Sequence, residues 1–163
     1  MHTLLLAENI SKAQFIQNGL RCENLSTDIL SFKFSQNLER SLTNVHGVFL
    51  FDDCVSTLEK TIDFCLKIRN NLPIILLSSG CQFSTFETLY NKEKVRNFFV
   101  RPFPFRLIAA EMRANVFQER EKNQSSKLRL RDIELNRDAH EIKVGGKTVY
   151  LRHKEFAELQ DIV

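Results

Sequence analysis

The stretch that decides the fold is Gly47-Val48-Phe49-Leu50-Phe51-Asp52-Asp53. Its four consecutive large apolar residues predict a strand covered on both faces, as in a parallel sheet between two layers of helices. The two carboxylates follow at the carboxyl end of this strand, where open α/β sheets bind their ligands. Asp52 and Asp53 could instead simply cap the next helix, because aspartate is a preferred capping residue. The neighbouring strands therefore decide what the pair does.

Short apolar runs recur along the first 120 residues. Those predicted as strands, besides the central one, are Thr3–Ala7, Asp28–Phe32, Pro73–Leu77 and Val95–Val100. The segments between them carry apolar residues at spacings of three and four, which is typical of amphipathic helices, and Ser11 is the expected N-cap of the first. This alternation predicts an α/β fold: a doubly wound, five-stranded parallel sheet with right-handed crossovers and helices on both faces.

The composition is that of a globular protein. The 163 residues suit one ordinary domain with a small appendage, and 43% of them are hydrophobic, including 14 Phe. The apolar runs are too short to span a bilayer, so a cytoplasmic location without membrane contact is predicted. The net charge of +3 gives almost no support for nucleic-acid binding. The four cysteines are scattered, which favours reduced thiols over disulfides or a zinc site.

The pattern changes after residue 120. Residues 121–126 are polar and lack periodicity, which predicts a linker between a domain of residues 1–120 and a second unit of residues 127–163. Apolar and polar residues then alternate over 128–135, and two further short strands flank Gly145-Gly146. This predicts a small antiparallel sheet. The last segment, 154–163, begins an amphipathic helix, which suggests an incomplete domain.

Polar side chains follow four of the predicted strands. Glu8 follows the first, Asp52 and Asp53 the third, Ser78 the fourth and Arg101 the fifth. A carboxylate nucleophile beside another acid, a hydroxyl and a fixed cation makes a plausible phosphoryl-accepting site. The acids would hold Mg²⁺ through oxygen, and the hydroxyl and the cation would bind the oxygens of the incoming group.

The first 120 residues resemble the receiver domain of response regulators. The segments that carry the likeness are Leu5–Asn9, where the family has its acidic pair, Val48–Asp52 with the acceptor aspartate, Ile75–Ser79 with the switch hydroxyl, and Phe98–Phe103 with the switch aromatic and the basic residue. Over its whole length the chain resembles the OmpR/PhoB family of transcriptional regulators. The resemblance implies a flavodoxin-like receiver of the CheY type and a role in a two-component phosphorelay.

The resemblance also assigns roles to residues. It makes Asp52 the phospho-acceptor and Ser78, Phe98 and Arg101 the switch and phosphate-binding residues. It implies a cis bond between Arg101 and Pro102, which would aim the guanidinium into the site. The predicted metal ligands are Glu8, Asp52 and Asp53. The implied partners are a sensor histidine kinase and a second copy bound through the receiver.

The tail resembles the opening of an OmpR-type winged helix. The matching segments are 130–136, 141–151 and 154–156. In that family the third helix enters the DNA major groove, and neither this helix nor the following wing is present in the sequence. DNA binding is therefore expected only of a complete winged helix.

Departures from the family pattern predict a degenerate site. Ala7 replaces one of the two acids expected at the metal, so Mg²⁺ binding should be weak or absent. Arg101 replaces an ammonium with a broad planar guanidinium, which is not a neutral exchange at a tight phosphate site. Glu111 stands where relatives often have a basic residue for dimer contacts. The predicted function is that of an atypical response regulator in transcription regulation, not an enzyme.

Three other functions compete with this prediction. One is a phosphorylation-independent protein-interaction module. Another is an aspartate-nucleophile phosphatase, which would need a second acid where this chain has Cys54. The third is a flavodoxin-like binder, which would need a glycine-rich loop after the first strand, and Glu8-Asn9-Ile10-Ser11 has no glycine.

Overall fold

A computed structural model describes most of the chain. The described residues are 1–31, 36–51, 58–80, 83–125, 127–136 and 141–149, together with Glu155 and Glu158. They divide into two compact units, Met1–Val116 and Phe117–Val163. Within the described ranges, no helix has both the length and the apolar character needed to cross a membrane.

The first unit is built on a five-stranded parallel sheet. Its strands are β1 (His2–Leu6), β2 (Ser26–Leu30), β3 (Gly47–Phe51), β4 (Ile74–Ser78) and β5 (Asn97–Val100). They lie in the order β2-β1-β3-β4-β5, and every neighbouring pair is parallel. The predicted fold class is confirmed.

Helices cover both faces of this sheet. They are α1 (Ile10–Cys22), α2 (Gln36–Asn44), α3 (Leu58–Ile68), α4 (Phe83–Asn91) and α5 (Phe105–Ser125). One core cluster joins the sheet to α2, α3 and α4, and a second joins its other face to α1 and α5. Strand residues alternate between the clusters, so that Leu50 and Leu76 lie in the first while Phe49 and Ile75 lie in the second. All residues of β3 and β4 are buried, as their continuous apolar runs predict.

Several predicted boundaries were wrong. Asn9, and not Ser11, is the N-cap of α1: its side chain accepts a hydrogen bond from the Lys12 amide at 3.1 Å. Strand β2 begins two residues before the predicted Asp28, because the Thr27 hydroxyl is bonded at 2.9 Å to that of Thr3 in β1, which fixes the polar start of the strand.

The helix that follows β5 is longer than predicted. An end near Arg120 was expected, but α5 continues to Ser125. Residues 121–125, predicted to be a linker, are therefore helical. Helix-forming residues such as Glu121 and Lys122 sustain a helix without an apolar stripe, so the loss of periodicity did not mark its end.

The second unit contains a four-stranded antiparallel sheet. Its strands are β6 (Lys127–Leu130), β7 (Ile133–Asn136), β8 (Glu141–Val144) and β9 (Lys147–Val149), paired in that order. The alternating run at 128–135 is a hairpin of two strands, because Arg131 takes a φ of 53° and turns the chain. The predicted turn at Gly145-Gly146 is confirmed, since both glycines have positive φ. The helix predicted over 154–163 lies outside the described residues, apart from Glu155 and Glu158.

Gly47 provides a test of core packing. A Cβ at this position would overlap Sδ of Met112 and lie 3.4 Å from the Pro73 carbonyl oxygen. We expect Gly47→Ala to lower the free energy of unfolding by about 1–3 kcal/mol, measured by urea denaturation, because the fully buried Met112 side chain must shift to admit the added methyl group. In a Met112→Ala background the same change should cost much less, and an equal cost in both backgrounds would contradict this account.

Candidate functional site at the carboxyl edge of the parallel sheet

The strands that carry the predicted site end at the same level. In the strand register Leu6 pairs with Leu50, Phe51 with Leu77, and Ser78 with Val100. The carboxyl ends of β1, β3, β4 and β5 therefore form one edge of the sheet. This is the edge at which open α/β sheets bind ligands.

The predicted acceptor itself is not among the described residues. Asp52 and Asp53 both lie outside them, as does Cys54. Strand β3 is described to its last residue, Phe51, which is fully buried. The roles of Asp52 and Asp53 as acceptor and metal ligands remain predictions.

Ser78 is held by a tight turn at the end of β4. The residue is 1% exposed, and its hydroxyl oxygen accepts a hydrogen bond from the Gly80 amide at 3.0 Å. Its carbonyl oxygen accepts another from the Arg101 amide, also at 3.0 Å. Gly80 has a φ of +116°, a conformation that favours glycine. The turn thus ties the predicted switch hydroxyl to the end of β5.

Arg101 follows β5 with a cis bond to Pro102, as the family resemblance implied. The residue is exposed, and its guanidinium carbon lies 5.8 Å from the centre of the Phe103 ring. This distance is in the range of a cation–π contact. The planar guanidinium therefore has an aromatic surface beside it, which a compact ammonium would use less well.

Phe103 is a site residue to which sequence reasoning gave no role. Its ring contacts Phe51 edge-on, with 6.4 Å between centres, and lies 6.1 Å from Phe105. Phe105 in turn contacts Phe15 of α1 at 5.9 Å. A row of rings thus runs from the end of β3 to the exposed surface of α1. The repeated Pro-Phe pairs at 102–105 were the available signal, but a repeat alone does not reveal which rings meet.

Phe98, the predicted switch aromatic, is half-buried in β5. It pairs with Leu76 in the register and packs against the core cluster of α2, α3 and α4. Its ring lies 6.2 Å from that of Tyr90, which is 48% exposed. The two rings therefore lie at the surface beside α4.

At the predicted metal-binding end of the site, the structure describes one acidic residue. Ala7 is 2% exposed, its amide donates to the Leu30 carbonyl at 3.1 Å, and its methyl group belongs to the core. Glu8, the next residue, is exposed. Over the ranges that the structure describes, no three His, Cys, Asp or Glu side chains are close enough to share a metal ion.

Solved structures share this architecture. A response regulator receiver domain protein from Clostridium thermocellum aligns over 74% of this chain and 98% of its own, with a TM-score of 0.65 and 12% identity. The fold of the first unit is that of a receiver domain. An adenylate cyclase structure from Rhodopirellula baltica aligns over 76% of this chain and 93% of its own, with a TM-score of 0.63 and 13% identity.

A third structure covers both units. It belongs to a family of redox sensors in the streptococci that evolved from two-component response regulators, and it aligns over 97% of this chain and 71% of its own, with a TM-score of 0.56 and 15% identity. No protein-family model and no curated protein sequence matches this chain. At these identities the likeness is one of fold.

Ser78 can be tested directly. We expect Ser78→Ala to lower the free energy of unfolding by about 0.5–1.5 kcal/mol, because the hydroxyl that accepts the Gly80 amide is lost from a buried turn. Thermal and urea unfolding would measure the change. Ser11→Ala, at an exposed residue of α1, is the control and should change stability by less than about 0.5 kcal/mol. Equal effects of the two substitutions would argue against a structural role for the Ser78 hydroxyl.

Proposed function

We propose that the first unit is the receiver of an atypical response regulator, which signals chiefly through its surfaces. The observation that carries this proposal is the arrangement at the carboxyl edge: the buried β3 ends one residue before Asp52, while Ser78 and Arg101 are joined by a hydrogen bond at the ends of the next two strands. A phosphoryl group on Asp52 would meet a hydroxyl and a cation there. In this proposal, phosphorylation would form an acyl phosphate at Asp52, and the side chains of Ser78 and Phe98 would then move.

The metal end of this site supports an altered rather than a conventional phosphorylation chemistry. Ala7 supplies a methyl group to the core where the family has an acid, so the carboxylates available to Mg²⁺ are Glu8, Asp52 and Asp53 at most. Bound Mg²⁺ would neutralise charge on the incoming phosphoryl group. With fewer acids it should bind weakly, and modification of Asp52 should be slow.

The second unit supports a role in transcription. Its four-stranded antiparallel sheet agrees with the opening sheet of an OmpR-type winged helix, and a complete winged helix would be the part that contacts DNA. We accordingly propose a cytoplasmic regulator that takes its input from a sensor histidine kinase or another protein. No enzymatic activity is proposed, since the acid expected of aspartate-nucleophile phosphatases is replaced by Cys54.

The likeness to the streptococcal redox sensors suggests a different input signal for this protein, the oxidation of a cysteine thiol. Cys65 is fully buried in α3, and burial raises the pKa of its thiol to about 12. The thiolate is the reactive form of cysteine, so this thiol is poorly suited to sensing oxidants. The geometry around Cys65 therefore favours packing over redox chemistry.

The decisive test of the phosphorylation site uses beryllofluoride as a phosphoryl mimic. At millimolar Mg²⁺ we expect small or no chemical-shift changes in the nuclear magnetic resonance spectrum of the full chain. Asp52→Asn is the control that removes the acceptor. A saturable change in the wild-type chain that disappears in Asp52→Asn would mean that the altered site is nevertheless a working phosphoswitch.

A variant that restores the missing acid at position 7 tests the predicted metal site directly. Ala7→Asp should raise the affinity for Mg²⁺ at least about tenfold, because it restores an acid at the position where the resemblance places the second metal-binding acid of the family. Ala7→Asn is the matched control, with the same shape but no charge. Titration with Mg²⁺ followed by nuclear magnetic resonance would measure both. No gain from Ala7→Asp in a folded protein would contradict the placement of the metal at this edge.

The burial of Cys65 leads to a separate prediction. In the native protein at pH 8, iodoacetamide should label Cys65 at least about a hundredfold more slowly than the exposed Cys22, as read by peptide mass spectrometry. Because the pKa is raised on folding, the Cys65 contribution to stability is present below pH 9 and falls as the pH rises toward 12. Cys65→Ala should remove that part of the pH dependence. Rapid labelling of Cys65 in the native protein would contradict this prediction and would favour a redox function.

A further inference from the structure

A cavity of about 230 Å³ lies beside the edge strand β2, between the sheet and helix α2. Its apolar walls are Leu4 of β1, Leu30 of β2 and Val45, which follows α2. All three belong to, or pack against, the core cluster of α2, α3 and α4. Because a water molecule takes up roughly 30 Å³ in the liquid, the cavity has room for about seven waters or for one compact organic molecule with a single ring.

The cavity results from the way in which α2 crosses the sheet. Helix α2 connects β2 to β3, and β1 lies between these two strands. Leu38 and Leu42 of α2 are buried in the same core cluster as Leu4 of β1. At the edge of the sheet, by contrast, Leu30 is half-buried and Asp28 is exposed. The helix thus covers β1 and leaves this face of β2 partly open.

The wall that α2 contributes is held in place by α3. Arg69, the residue after α3, donates from its guanidinium to the carbonyl oxygen of Leu42 at 3.3 Å and to that of Val45. The last carbonyl groups of a helix lack partners within the helix, so these bonds stabilise the end of α2. The cavity is therefore formed before any ligand enters, as is usual for small-molecule sites.

The polar rim of the cavity carries one cation that is not in an ion pair. Among the residues that the structure describes, no carboxylate lies within ion-pair distance of the Arg40 guanidinium. The other two charged groups of the rim contact each other, because His2 Nε2 lies 3.1 Å from a carboxylate oxygen of Asp28. Ser41, next to Arg40, adds a hydroxyl. The rim thus offers a positive charge and a hydroxyl beside an apolar interior.

We propose that this cavity binds a small organic anion, namely a carboxylate attached to a compact apolar group of about one ring. The carboxylate would pair with Arg40, whose planar guanidinium can donate two parallel hydrogen bonds, and would accept a third from the Ser41 hydroxyl. The apolar group would lie against Leu4, Leu30 and Val45, where it is removed from water. A neutral molecule of the same shape would leave Arg40 without its partner and should bind less tightly.

This binding site is separate from the candidate site at the carboxyl edge of the sheet. Its described lining does not include Glu8, Ser78, Phe98 or Arg101. Binding of an organic anion does not require modification of Asp52. It is therefore measured on the unmodified chain without Mg²⁺, and its failure would leave the proposed receiver function unaffected.

Titration with benzoate tests the proposal, and benzamide is the matched control because it has the same shape without the charge. Nuclear magnetic resonance of the leucine and valine methyl groups of the full chain, at constant ionic strength, would measure binding. We expect saturable shifts at Leu4, Leu30 and Val45, with a Kd for benzoate of about 1 mM. Benzamide should bind at least about tenfold more weakly. Equal affinities for the two compounds, or no saturation by about 20 mM benzoate, would overturn the proposal.

Substitutions at the rim test the role of charge. Arg40→Gln should weaken benzoate binding at least about tenfold. Arg21→Gln, the same change at an exposed residue of α1, should have no effect. Asp28→Asn should leave benzoate binding as tight or make it tighter, because it removes a negative charge from the rim. Unchanged affinity in Arg40→Gln, or weaker binding in Asp28→Asn, would contradict the assigned class of ligand.

Filling the cavity tests the location of the site. Ser41→Leu places a larger apolar side chain at a half-buried position of the lining, so it should abolish the benzoate-induced shifts while leaving the circular dichroism of the protein unchanged. Thr43→Leu, at an exposed position of the same helix, is the control and should bind benzoate normally. Benzoate binding that persists in folded Ser41→Leu would overturn the placement of the ligand in this cavity.

Discussion

The constraint on which the first unit depends is the complete burial of β3 and β4. Both strands lie at the centre of the sheet, and every one of their side chains is removed from solvent. A strand buried on both faces has to be apolar along its length, with polar residues only at its ends, and it needs helices on each side to cover it. The two core clusters follow from this, because one lies under α1 and α5 and the other under α2, α3 and α4. Polar residues are confined to the strand ends, where the sheet meets water.

That confinement explains the position of the candidate site. Ser78 is the last residue of β4 and the first polar residue after a buried apolar run, while Arg101 follows β5 directly. The cross-strand bond between the Ser78 carbonyl and the Arg101 amide then sets these two residues side by side. Ala7 is the exception at this edge. Its side chain packs into the core cluster beside α1 and α5 and does not reach the surface.

Much of this could be predicted from the sequence, and the failures have physical causes. The parallel sheet and its buried central strands were predictable because continuous apolar runs of four or five residues leave few alternatives. The cap of α1 was missed because Asn9 and Ser11 are both good capping residues and only geometry separates them. The end of α5 was missed because a polar segment can stay helical without a stripe. The contact between Arg101 and Phe103 was beyond sequence reasoning, since it depends on how a loop turns after a strand.

The two sheets differ in the sequence separation between the strands that pair with each other. In the second sheet each strand pairs with the next, so that Leu130 meets Ile133 across a two-residue turn. In the first sheet β1 pairs with β3, which brings Thr3 to Gly47. Closing so long a loop costs more chain entropy before any contact stabilises it. The small sheet should accordingly form early in folding, and the central pairing of the parallel sheet should set the overall rate.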